Sequence, residues 1–236
     1  MAKKRPSPGL TNLERFGGGI FFVFYLLLLP LMAGPARHLA GELLGRRISE
    51  ELYGAVYYYG LFAVTAILFH RLLGTSTRRF LDEPARALKT AGVGIVAYYG
   101  LSELAARLGS VFVDRSGNLN DAVISARTGS APHMTLLIVV FLAPFVEETL
   151  FRGLVFGGLK EKSRLLAYAV SCALFALVHV WQFAVANRDP AYFLAMVQYL
   201  IPGLVLAWAY EHSGTLWASI GLHAGVNALS ALAGSL

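Results

Sequence analysis

Two carboxylates and a guanidinium stand within one apolar run of the chain, Phe145-Val146-Glu147-Glu148-Thr149-Leu150-Phe151-Arg152-Gly153. Ionisable groups inside a hydrocarbon layer cost several kcal/mol on insertion scales, so each calls for a partner or a task. If this run is helical, Glu148 and Arg152 are four apart and share a face, and the guanidinium neutralises Glu148. Glu147 is turned about 100° away and has no charged partner on its own helix. It is the carboxylate free to take a proton, as a general base must. A charge cluster that locks helices together is the competing reading of this segment.

Further apolar runs carry two histidines. His179 ends Phe175-Ala176-Leu177-Val178-His179, with Phe175 on the same face one turn earlier. His223 and Asn227, in Gly221-Leu222-His223-Ala224-Gly225-Val226-Asn227, are four apart and project together. Ala224 and Gly225 let another helix approach there. Taken singly, each of these is as well explained by packing as by chemistry. Measured inward from Lys160, Ser163 and Gly214, however, all four of Glu147, His179, His223 and Asn227 fall roughly 14 to 24 Å from one edge of a core about 30 Å thick. Three separate helices carrying strong polar groups at one level form a constellation that packing does not require.

The elements that must position these groups follow from composition. Of 236 residues, 56% are hydrophobic and 14% charged, against about one quarter charged in soluble domains. Spanning helices need about 20 mostly apolar residues, which divides the chain into runs near 16–33, 52–70, 90–108, 134–159, 165–186, 191–210 and 214–235. The expected fold is all-α, a polytopic transmembrane bundle of about seven helices. It becomes eight if 109–132, otherwise a polar loop, dips into the bilayer. We read one membrane domain over 1–236, with three generic spans and loops in 1–132 and the candidate core in 133–236. The basic start and first run resemble a signal peptide, but the run is long for a signal core and ends in Leu-Pro-Leu-Met-Ala-Gly-Pro, so an uncleaved span is expected.

Lysines and arginines expected on the amino-terminal side outnumber those opposite by twelve to six, which places the amino terminus in the cytoplasm. The net charge of +6 is spread over short segments between apolar runs, as lipid headgroups favour, and nucleic acid is not an expected partner. Glu103 and Arg107, four apart near the end of the third span, read as an interfacial ion pair. Cys172 is the only cysteine, which excludes an internal disulfide and a cysteine-based metal cluster. The sequence carries no signal for oligomeric state.

The ordered set Glu147-Glu148-x-x-x-Arg152, Phe175-x-x-x-His179 and His223-x-x-x-Asn227 resembles the CPBP family, the CAAX prenyl endopeptidase and bacteriocin-processing (Abi) intramembrane proteases. The resemblance covers 135–232, and the first three spans match it only as generic membrane helices. It implies that Glu147 and His179 activate a water, that His223 and Asn227 stabilise the oxyanion, and that Glu148, Arg152 and Phe175 support the site. Its implied partners are the lipid bilayer and a membrane-associated peptide or protein, prenylated or a precursor. No serine or cysteine is needed as nucleophile; Ser171 and Cys172 lie two turns before His179 with no visible base beside them.

A zinc site using Glu147, His179 and His223 is the alternative for the same reaction. We expect no cofactor, because Glu148 and Arg152 are already matched to each other and only Asn227 is left to support an imidazole. A transporter or proton relay would also use intramembrane Glu and His, but the inverted repeat and paired broken helices of that class are missing. An idle immunity or scaffold protein is the remaining alternative.

Overall fold

The computed structural model describes residues 9–109 and 132–233. Among these the chain forms helices and no strand. The first helix, α1, spans Asn12–Leu43. It begins at a capping box in which Thr11 Oγ1 accepts from Glu14 N (3.2 Å) and Glu14 Oε2 accepts from Thr11 N (2.8 Å). Glu14 Oε1 also accepts from Leu72 N at 2.8 Å. That amide belongs to the first turn of α3, His70–Asp82, so one buried carboxylate caps two helix starts. Helix α2, Glu50–Leu68, lies between them. Helices α4 (Pro84–Gly109), α5 (His133–Lys160), α6 (Arg164–Asn187), α7 (Pro190–Ser213) and α8 (Leu216–Ala233) complete the bundle.

Six of these, α1, α2, α5, α6, α7 and α8, are long and apolar enough to cross a membrane. The expected third span is present as α4, whose 26 residues reach about 39 Å. It is not among the six, because glycines, Tyr98, Tyr99, Ser102, Glu103 and Arg107 dilute its apolar content. Glu103 and Arg107 form the expected exposed pair at 2.6 Å. Packing makes α4 part of the bundle: a Cβ at Gly94 would run into the Leu222 side chain of α8. The segment 110–131, on which the count of eight depended, lies outside the described residues.

Between the apolar runs 52–70 and 90–108 the chain forms the amphipathic helix α3. It buries Leu72, Leu73 and Ser76 and is too short to span. Its Ser76 holds the turn before α8. Ser76 Oγ accepts from Leu216 N at 2.6 Å, and Thr215 Oγ1 donates to Ser76 O at 2.9 Å. A serine from another helix thereby serves as the N-cap of α8.

Helix α5 is the axle. Two thirds of its apolar window (67%) is buried inside the protein, against 17% to 50% for the other five apolar helices. It is wound as a π-helix over Leu137–Leu142 and Thr149–Phe156, with a short α segment, Ala143–Glu148, between. Pro144 withdraws a backbone donor beside the first π segment. At the second, the Thr149 hydroxyl occupies the Phe145 carbonyl at 2.7 Å. Both devices loosen the i→i−4 ladder where the paired carboxylates sit.

Candidate active site

Glu148 and Arg152 share a face of α5 despite the π winding. Their Oε1–Nη1 distance is 3.1 Å and both side chains are fully buried. Arg152 is held further by the Gly203 carbonyl of α7, which accepts from Nη2 at 3.0 Å. Its guanidinium lies over the Phe175 ring, 4.3 Å from the centroid. The close approach of α7 needs a glycine: a Cβ at Gly203 would stand 3.3 Å from the Cys172 backbone of α6.

Glu148 Oε1 has a second partner, His223 Nδ1 at 2.9 Å. One carboxylate thus ties α5 to α8 as well as to its own arginine. The expectation that Glu148 is used up by Arg152, leaving the imidazoles thinly supported, is therefore overturned: a carboxylate oxygen has more than one lone pair. His179 is anchored too, through Nδ1 to the Phe175 carbonyl at 2.8 Å. Both Nδ1 atoms face acceptors, so both carry the proton. The Tyr199 ring stacks on His179 at 4.6 Å between centroids with planes 23° apart.

With Nδ1 engaged, both imidazoles turn Nε2 toward the other carboxylate. Glu147 Oε2 lies 4.0 Å from His179 Nε2 and 3.9 Å from His223 Nε2. It is buried and makes no direct hydrogen bond. Beside the two histidines lies a cavity of about 20 Å³, bordered also by Asn227, Phe175, Tyr98 and Tyr199. That volume is room for one ordered water.

The structure brings Glu147, Glu148, Arg152, Phe175, His179 and His223 into one cluster and puts Asn227 on the cavity wall. Asn227 does not turn to its helix neighbour His223, however. Its Nδ2 donates to the Val139 carbonyl at 2.7 Å, a bond that pins α8 to the first π segment of α5. Ser171 donates to the Phe151 carbonyl at 2.9 Å and is fully buried, away from any base. Tyr199 and Gly203 went unnoticed in the sequence, where α7 reads as featureless apolar helix; the Pro202-Gly203 step was the one available signal.

Residues 129–229 match the model of the family described as Rce1-like, type II CAAX prenyl endopeptidase. Among curated proteins, the UPF0177 protein YxdF of Lactococcus lactis subsp. lactis (strain IL1403) is 30% identical over 90 residues, which cover 38% of this chain and 44% of that relative. The chain therefore spans less than half the length of the curated relative it matches. No solved structure matches. Glu147, Glu148, Arg152, Phe175, His179, His223 and Asn227 all fall within the segment 129–229 of this multi-pass membrane protein that matches the model of the Rce1-like, type II CAAX prenyl endopeptidase family.

Proposed function

We propose that the protein is an intramembrane endopeptidase that hydrolyses a peptide bond of a membrane-associated substrate, a prenylated CAAX-type tail or a precursor peptide, with a water activated by Glu147 and His179. The observation that carries this reading is the unpartnered Glu147 oxygen facing Nε2 of two histidines at 4.0 and 3.9 Å. Those gaps are too wide for direct hydrogen bonds and suit a water about 2.8 Å from each group.

In the reaction, Glu147 takes a proton as the water oxygen bonds to the scissile carbonyl carbon. His223, held through Nδ1 by Glu148 and acting as an imidazolium with a proton on both ring nitrogens, donates from Nε2 to the developing oxyanion, and the second Nδ2 hydrogen of Asn227 adds to it. Collapse of the tetrahedral intermediate breaks the C–N bond. The proton on Glu147 passes to the departing amine, leaving a free carboxylate on one product and regenerating the base.

The three groups have the donor chemistry of a His₂Glu zinc site, with each imidazole supported through Nδ1. The spacing is not that of such a site. Ligands about 2.0 to 2.1 Å from a tetrahedral zinc stand about 3.4 Å apart, and both gaps here are wider. A metal-free, glutamic-type mechanism is therefore the reading we favour.

The amino terminus is proposed to be cytoplasmic. Arg15 pairs with Glu161, Lys160 and Arg164 with Glu211, and Arg79 and Arg86 donate to the carbonyls of Gly214 and His212. These contacts gather the basic segments expected inside at one end of the bundle. The test of the whole reading is hydrolysis of a membrane-tethered peptide by purified protein, with Glu147→Ala and His179→Ala each abolishing turnover while remaining inserted and monodisperse. Near-normal turnover by either variant removes the assigned base.

A further inference from the structure

The carboxylate read as the base leaves one question open within its own helix: what fixes its rotation. Its Oε2 makes no direct hydrogen bond, and Glu147 is the least anchored of the five ionisable groups in the cluster. The neighbour that fills this role comes from the part of the chain outside the family match. Tyr25 sits in a π turn of α1, Phe24–Leu28, and is 7% exposed. Its phenol lies against the Glu147 carboxylate. Its ring meets Phe151 edge-on, with centroids 6.4 Å apart and planes at 73°. Phe22, one turn earlier, meets the same Phe151 ring at 5.3 Å and 84°. Phe151 is fully buried and stands four residues after Glu147. Two aromatic contacts thus clasp α1 to α5 one turn after the residue read as the base.

We propose that Tyr25 is a positioning residue of the hydrolytic site, its phenol donating to the Glu147 carboxylate and holding it toward the two histidines, so that the site is incomplete without the first helix. A phenol supplies one O–H donor, and α1 otherwise brings the site no polar side chain. The hydroxyl donor leaves the second oxygen of Glu147 directed at Nε2 of His179 and His223, where the water must sit. A tyrosine here also keeps its apolar body against Phe151 while its polar tip reaches the acid. This rests on the hydrolytic reading of Glu147.

The test uses the full chain, with Tyr25→Phe, Glu147→Ala and, as a control from α2, Tyr57→Phe. Hydrogen bonds to charged groups carry enough energy that losing one costs roughly tenfold to hundredfold in rate. Tyr25→Phe is expected to lower kcat for a membrane-tethered peptide by about that factor, with KM within about twofold and the melting midpoint unchanged, while Tyr57→Phe behaves as the parent protein. An unchanged kcat overturns the proposal. So does a loss matched by a lowered melting midpoint, which assigns Tyr25 to packing. Turnover retained by Glu147→Ala overturns the hydrolytic reading instead. The contact itself is read without turnover, by infrared difference spectroscopy of Tyr25→Phe against the parent protein. A shifted carboxyl band that vanishes in a Glu147→Gln background supports the contact, and its absence overturns the proposal.

Discussion

Adjacent carboxylates in one helix have opposite surroundings here. Glu148 is fully enclosed and its Oε1 bonds to both Arg152 and His223, whereas Glu147 has no arginine partner and its Oε2 faces His179 and His223 only at 4.0 and 3.9 Å. Replacing Glu148 by Gln leaves a buried guanidinium facing a neutral amide and weakens the acceptor that Arg152 and His223 share. Breaking buried pairs of this kind costs about 3 to 5 kcal/mol. Thermal unfolding of Glu148→Gln is expected to show a loss of that order, alongside lower activity. A variant as stable as the parent but inactive would give Glu148 a direct part in the reaction. Glu147→Gln should do the reverse, abolishing turnover with little change in the melting midpoint, because no buried charge partner is stranded.

The pair four apart in sequence was legible because helical geometry alone brings Glu148 to Arg152. His223 and Asn227 share a face for the same reason, yet their partners, Glu148 and the Val139 carbonyl, belong to α5. Spacing within one helix tells which way a side chain points and nothing of what meets it. Glu14 shows the same limit: it lies just before the first apolar run and reads as an ordinary charged residue, although its carboxylate caps α1 and α3 together.

At the scale of elements, the apolar runs marked seven helices, six of them with the length and hydropathy of spans. They did not mark α3 or the π segments of α5. Helix α3 is amphipathic and rich in arginine, so a search for continuous apolar runs passes over it. The π segments arise from Pro144 and from a hydroxyl occupying a carbonyl, both invisible to hydrophobic periodicity. The importance of α3 is its grip on the turn 213–216. Ser76→Ala removes the acceptor for Leu216 N and a partner of Thr215, and loss of a cap costs about 1 to 2 kcal/mol. We expect a lower melting midpoint of that size, with faster hydrogen exchange at the start of α8. Ser76→Thr, which keeps the hydroxyl, should recover most of it; equal loss in both variants would mean that shape rather than capping matters.

Over the whole molecule, the polar cluster lies inside a bundle in which Arg15, Arg79, Arg86, Lys160 and Arg164 are tied together at one end. The proposed topology puts that end in the cytoplasm, so a cysteine placed near Lys162 should react with an impermeant thiol reagent only after the membrane is opened, in a Cys172→Ser background. Labelling in intact cells would reverse the orientation. The spacing of Glu147, His179 and His223 leads to a second whole-protein expectation. Activity should survive dialysis against a strong chelator under conditions that preserve the fold. Stoichiometric zinc, with activity lost on its removal and restored on its return, would replace the metal-free mechanism with the metallo-type one.

The cavity beside the histidines has room for a single water, and hydrolysis consumes one. Under the proposed hydrolysis every cycle ends with the chamber dry, and a fresh molecule must reach it from outside the hydrocarbon layer before the next bond is cut. The supply of solvent becomes a step of the cycle in its own right, and lowering water activity with an excluded osmolyte should slow kcat even at saturating peptide.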